Sequence, residues 1–315
     1  MNNLKQRSEL LFLYDATYCN PNGDPLDSNR PRIDEETGRC LVTDVRLKRT
    51  IRDYLIEKGF NGKTDKFKDV FVRDEDGKAI TGAKRAEAYK DKGEYLQKFI
   101  DVRLFGGVSA PKKATKTAKS SKEDAEEGDE TTDTKNTFHY TGPVQFGMGK
   151  TLHPVRVNYI KGTGAFATSE ANDTRTFREE YNITYGLIGF HGVVNEKAAA
   201  HTRTSQEDIN ELLEAIWNGT KGLLTRSKKG HMPRLLIKID YREDTGGFFI
   251  GDLVERLKIK YLDGKSEESL ADVSDLILDI SALNAEIKKN TGKIASVKVL
   301  NHDERLSLSE PVHQI

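Results

Sequence analysis

The chain has 315 residues, 36% hydrophobic and 32% charged, enough for one large domain or two modest ones with a proper core. Lys plus Arg equals Asp plus Glu at 50 each, so no global basic field advertises nucleic-acid binding. The acid is concentrated in "SKEDAEEGDETTD" at 121–133, however, and the chain without that segment is basic. No apolar run is long enough for a bilayer, and the N-terminus lacks a signal-peptide pattern. Cys19 and Cys40 are too few for a disulfide framework or a Cys-based zinc site. The expectation is a cytoplasmic protein with no membrane partner.

Residues 8–17, "SELLFLYDAT", form a near-continuous apolar run that suits a strand buried on both faces. The stretch that follows, "CNPNGDPLDSNRPRID" (Cys19–Asp34), is polar and stiff. Pro21, Gly23 and Pro25 fix its path, and Asn22 and Asp24 suit turn positions with positive φ. Thr43 is placed to cap a helix through about Lys58, with Asp44 against the helix dipole. Leu47, Ile51, Tyr54 and Leu55 share one face of that helix; Lys48, Arg49 and Arg52 share another.

Residues 59–99 carry no clear period, and order resumes at "YLQKFIDVRLFGG", which ends in a Gly-Gly break. Residues 109–137 hold no aromatic and almost no large aliphatic side chain, the composition of a disordered linker. A strand is expected around Val144–Met148, and Lys161–Asn182, rich in Gly, Thr and Asn, reads as a projecting hairpin. "ITYGLIGFHGVV" is a strand by content. Ser205 caps a helix whose apolar face is Ile209, Leu212, Leu213 and Ile216 and whose stop is Gly219. "RLLIKIDY" (Arg234–Tyr241) alternates as a strand. A hairpin around "DTGGFF", one or two helices between Leu253 and Lys289 and a strand "KIASVKVL" follow. The skeleton is the α+β order βαββαβ of ferredoxin-like and RRM-like units, without the aromatic signature of the RNA-recognition motif.

Arg30 and Arg32 flank Pro31 beside the basic helix face, a stiffly held pair suited to phosphate. The plain alternative is a polar turn next to a solvated helix. A calcium loop is disfavoured, because the sixth position from Asn20 is Pro25 where glycine is needed. "GLLTRSKKGHMPR" carries Arg226, Lys228 and Lys229 in a Gly-bounded loop without P-loop spacing. The histidines show no metal spacing, and no nucleophile elbow occurs, so no metal, cofactor or catalytic residue is indicated.

"NPNGDPLDSNRPRIDEETGRCLVTDVRLKRTIRDYL" (Asn20–Leu55) resembles the N-terminal signature of the Cas-seven family of the RAMP superfamily. That family is the repeated backbone subunit of type I CRISPR Cascade complexes, and the form here is most similar to subtype I-B. "DVRLFGG", "TGPVQFGMGKTLHPV" and "YGLIGFHGVVN" extend the likeness to about residue 245.

The resemblance implies a single RRM-like domain over 1–315, shaped as a hand. Its fingers insertion is expected at 59–137, with the linker 109–137, its thumb at 156–182 and a C-terminal extension of the palm at 242–315. Implied partners are a guide RNA (crRNA), further copies head-to-tail along it, other Cascade subunits, and target DNA paired to the guide; catalysis is not implied. Guide contacts carry over to Asn20, Asn22, Arg30 and Arg32, to Arg46, Lys48, Arg49 and Arg52, and to Gln145 and Phe146. In the thumb they fall on Phe166, Arg175, Phe177 and Arg178, and in the basic loop on Arg226, Lys228 and Lys229. A guide of variable sequence favours contacts to phosphate and sugar, with the phenylalanines stacking on bases. Type III relatives cut target RNA with an acid in the thumb region. Glu170 and Asp173 therefore keep a metal-dependent RNA nuclease open, and a ferredoxin-like ligand-binding or metabolic protein stands third.

Overall fold

The computed structural model describes residues 4–109, apart from 76, 79, 87, 88, 90 and 91, together with 138–167 and 175–315. Most of the linker expected at 109–137 lies outside the described residues, as do Glu170 and Asp173.

Strand β1 is Ser8–Cys19, and every residue from Ser8 to Ala16 is buried. Its side chains alternate between two cores. Leu10, Phe12, Tyr14 and Ala16 enter one, Leu11 and Leu13 the other. A strand covered on both faces reads as a continuous apolar run, which is what the sequence carries.

Around β1 assemble β2 (Val144–Phe146), β3 (Gly149–Thr151), β4 (Val157–Ala167), β5 (Arg175–Val194) and β6 (His231–Tyr241). Strands β7 (Lys258–Tyr261) and β8 (Leu276–Asp279) belong to a separate small sheet. The last long strand is β9 (Ile294–His302). The main sheet runs β9–β6–β1–β5–β3 and ends on the short strand Leu41–Val42. All of its pairings are antiparallel. Strand β5 is its spine. One edge pairs with β1 from Ile183 to Val194; the other takes β4, β3 and β2 in turn along its length. The hairpin expected within 161–182 is the β4–β5 pair.

Two helices cover the first core. Helix α1 (Asp44–Glu57) begins where the Thr43 side chain accepts from Arg46 N, and it buries Leu47, Ile51 and Leu55. Helix α2 (Ile100–Phe105) follows, then α3 (Gln206–Lys221), which starts in a reciprocal capping box of Ser205 and Asp208. Gly219 is not the stop expected of it: α3 continues to Lys221. A Cβ at Gly219 would sit 3.1 Å from both the Thr50 carbonyl and Tyr54 Cβ, so the glycine lets α1 and α3 cross closely.

The C-terminal residues cover the other face. Leu253, Val273, Leu278 and, from helix α4 (Ser281–Lys289), Leu283 and Ile287 pack on Leu11, Leu13, Leu187, Ile237 and Ile239. Buried Glu9 bolts this layer down. It accepts from the His191 ring (2.7 Å), the Tyr241 hydroxyl, and the backbone N–H groups of Ile250 and Gly251 (2.8 Å each). No hairpin forms around "DTGGFF". A 3-10 turn at Glu243–Thr245 follows β6, whose outer neighbour is β9 more than fifty residues on. A single α-helix occupies the region between Leu253 and Lys289, the rest being 3-10 turns and short strands.

Candidate nucleic-acid interface

Between β1 and α1 the chain makes a compact loop whose asparagines act as braces. Asn20 Nδ2 donates to the Asn29 carbonyl at 2.7 Å. Asn22 Oδ1 accepts from both the N–H and the hydroxyl of Thr43 at 2.9 Å, tying the loop to the start of α1. Gly23–Asp24 pairs with Arg30–Pro31 as a miniature hairpin. Positive φ falls at its turn, on Ser28 and Asn29, and not on Asn22 and Asp24 as the sequence indicated. Asp24 also holds Arg32 at 2.9 Å.

The basic loop after α3 folds onto this one. Asn20 N–H donates to the Ser227 carbonyl at 2.9 Å, and Thr17 N–H to Gly230 at 3.1 Å. A Cβ at Gly230 would collide with the Thr17 carbonyl, so only glycine lets the loop run against the end of β1. Lys228 reaches inward and donates to the carbonyls of Asn20 and Pro21. Burial first, then the nearby charge of Arg46, pulls its ammonium down to about 8. Burial likewise lowers Arg46, against the opposing pull of Asp53. Arg46 Nη2 donates to Thr50 Oγ1 at 3.1 Å, while its Nε has no partner. Two half-buried cations thus lie together at the start of α1, answered mainly by carbonyls and a hydroxyl. An arriving anion would relieve that repulsion, and helix starts favour anions.

The other cations of α1 are differently placed. Lys48 pairs with Asp44 at 2.9 Å, Arg49 with Asp53 at 2.7 Å, and Arg52 with Asp101 at 2.8 Å. Lys48 and Arg52 also lie over the ring of Phe105 in α2. They join α1 to the region after it rather than to the two loops. Arg226 pairs with Glu180 at 3.2 Å, beside the loop, and Lys229 is exposed.

Gln145 and Phe146 do not join the group. Strand β2 pairs with β5 at Gly192–Val194, nine residues from the Ile183 end, about 30 Å along the strand. Phe146 is a core residue packed on Gly192. In the hairpin the backbone register sets Arg178 opposite Gly162 and Phe177 opposite Thr163; the side chains of Phe166, Arg175, Phe177 and Arg178 lie outside the described ones.

Three tyrosines at the hairpin root were not singled out from sequence. Tyr159 and Tyr181 face each other across it, centroids 5.0 Å apart, and the Arg30 guanidinium lies 5.0 Å over the Tyr181 ring. Tyr18, at the end of β1, is 65% exposed. Among the described residues no group of three His, Cys, Asp or Glu side chains is placed to hold a metal ion, and no helix is long and apolar enough to cross a membrane.

Solved structures resemble the chain loosely. One titled "CRISPR RNA-guided surveillance complex" aligns at a TM-score of 0.43 and 16% identity, covering 78% of this chain and 76% of that one. Another, titled "CRISPR RNA-guided surveillance complex, pre-nicking", aligns at 0.41 and 14%, covering 74% and 78%. The sequence comparisons are stronger. The family model described as "CRISPR-associated protein Cas7" matches residues 6–281. A curated protein of Haloferax volcanii, named "CRISPR-associated protein Cas7", is 35% identical over 320 residues, 96% of this chain and 88% of that protein. With that likeness spanning both loops, α1, the whole sheet and most of the C-terminal layer, the chain belongs to the Cas7 family.

Proposed function

We propose that the chain is a guide-RNA-binding backbone subunit of a type I Cascade complex, of the I-B kind. Copies line up head-to-tail along the crRNA, beside other Cascade subunits, and present the guide for pairing with target DNA. Family membership carries this reading, together with the convergence of Arg46, Lys228 and Arg226 on the loop that opens the family-like signature.

The sheet order supports a ferredoxin-like palm: with β2 and β3 counted as one interrupted strand, the neighbours are β6, β1, β5 and β2/β3, with α1 and α3 on one face. The fingers at 59–137, the thumb at 156–182 and the extension from 242 complete the hand. Both faces of the sheet are occupied, one by helices and one by the C-terminal layer. RNA therefore meets the palm at its loops and not on the open sheet face that RNA-recognition motifs use. A strand of variable sequence is held by its backbone, so the two inner cations take phosphate and bases are left to pair. The subunit binds without cutting.

The test is to coexpress the chain with its CRISPR array and sequence what copurifies. Guide RNA in stoichiometric amount is expected, and a nucleic-acid-free preparation would sink the reading. Labelled complementary RNA incubated with the assembled protein in magnesium should remain whole. Regularly spaced fragments would replace the backbone role with a nuclease.

A further inference from the structure

Alternation along β1 breaks near its end. Leu10, Phe12, Tyr14 and Ala16 enter the helix-covered core, and a period of two would send Tyr18 after them. Tyr18 instead adopts φ 47°, a left-handed value rare for a bulky side chain. It drops out of the ladder between the Thr17–Tyr185 and Cys19–Ile183 pairs, and Cys19 fills the core in its place. Strain of this kind persists only where the surroundings impose it, and it gathers at functional sites. Its product here is a large aromatic ring in solvent.

That ring lines a cleft with Asn20, Asn29, Tyr181, Asn182 and Arg226, about 450 Å³ of empty space with its open mouth included. Glu179 and Glu180 line it too. The acids choose among the parts of a nucleotide: they repel a phosphate, whereas carboxylates and amides match the edge of a base. Asn20 is 2% exposed, and its Oδ1 has no partner. A buried acceptor left unmet is costly, and an N–H donor from a ligand would satisfy it. Every nucleobase offers such a donor, so the acceptor does not demand a sequence.

Resting on the guide-binding reading above, we propose that this cleft receives one unstacked nucleobase of the bound strand. Tyr18 stacks on its face, and Asn20 Oδ1 accepts from its edge. Arg30, over Tyr181, holds the second aromatic wall. Tyr18 is thus a binding residue set apart from the phosphate-facing pair Arg46 and Lys228.

The experiment uses the full chain with guide-length RNA carrying 2-aminopurine at successive positions. Quenching is expected at one position per bound copy, relieved several-fold by Tyr18→Ala and retained by Tyr18→Phe. Affinity should fall about tenfold with Tyr18→Ala. Tyr18→Asn, suited to the left-handed backbone, should lose the same affinity while raising Tm by about 1–3 °C. Tyr18→Ala binding and quenching like the parent would remove the cleft and leave the guide-binding reading intact. A fall in Tm for Tyr18→Asn would make the ring a packing residue, and so overturn the proposal. Failure of the parent chain to bind RNA at all would bring down both.

Discussion

Helix α1 carries two sets of cations that look alike in sequence and differ in surroundings. Lys48, Arg49 and Arg52 are each answered by a carboxylate, and Arg52 with its partner Asp101 is largely out of water. Arg46, on the same helix, lies beside Lys228 from a distant loop, and the two lower each other's hold on a proton. A paired cation is already satisfied and serves the fold. An unpaired, half-buried one is a standing cost that an anionic ligand removes, so it is the better candidate for the interface. Density of basic residues along the chain does not separate the two cases; their partners do.

The largest effect that tests this contrast belongs to the fold-serving set. Arg52→Ala leaves Asp101, 1% exposed, with only the N–H groups of Phe71 and Val72 for company. Stripping one partner from a buried pair costs about 3 kcal/mol or more. Urea denaturation should show that loss, with RNA affinity of the folded fraction unchanged. Unaltered stability would mean that the pair is not the tie described above.

Next comes the interface set. Arg46→Ala with Lys228→Ala should weaken binding to all RNA sequences alike, about tenfold or more at low salt. The slope of log affinity against log salt should flatten by about 1.4–2, one phosphate for each residue. Titrations across a salt series measure it, and an unchanged slope would erase the distinction between the two sets.

A smaller effect is read by pH. Lys228 sheds its proton near 8 in the folded chain, against an ordinary value of 10.5. Between those values the unfolded chain binds more protons, so this group's contribution to stability grows as pH rises through the window. RNA affinity moves the other way, because a phosphate prefers the charged ammonium. The salt slope at pH 9 should be lower than at pH 7 by about 0.7, and Lys228→Arg should abolish the difference. Smallest of all is Arg49→Ala, whose exposed pair with Asp53 is worth about 0.3–0.5 kcal/mol. Stability and salt slope should both stay nearly still. Flattening by about 0.7 would return Arg49 to the guide.

Much of the frame was legible in the residues. The apolar run of β1, the caps Thr43 and Ser205 and the alternation of β6 act locally, so a window of sequence contains them. Gly219 misled because a glycine that stops a helix and one that lets two helices touch look the same without the second helix. The C-terminal layer was opaque: Leu253, Val273 and Leu278 sit in short elements whose pattern makes sense only against the sheet they cover. The candidate site was legible in position and not in detail. Both basic loops were named, but Arg52 and Asp101 lie 49 residues apart, and nothing local announces their pairing. Tyr18 was hidden for a sharper reason, since the alternation rule itself assigned it to the core.

Strand β5 has a mechanical consequence. Its twenty residues run without a break from the hairpin into the middle of the sheet, about 65 Å of continuous backbone. A segment joined to a domain by a hinge can swing. One that is the same strand as the domain's own spine inherits that sheet's twist and stiffness, like a lever arm cast in one piece with its fulcrum. Whatever the hairpin touches is therefore held at a fixed reach and bearing from the core. Identical copies laid end to end would repeat that offset each time, so the pitch of such an array would be written into a single strand.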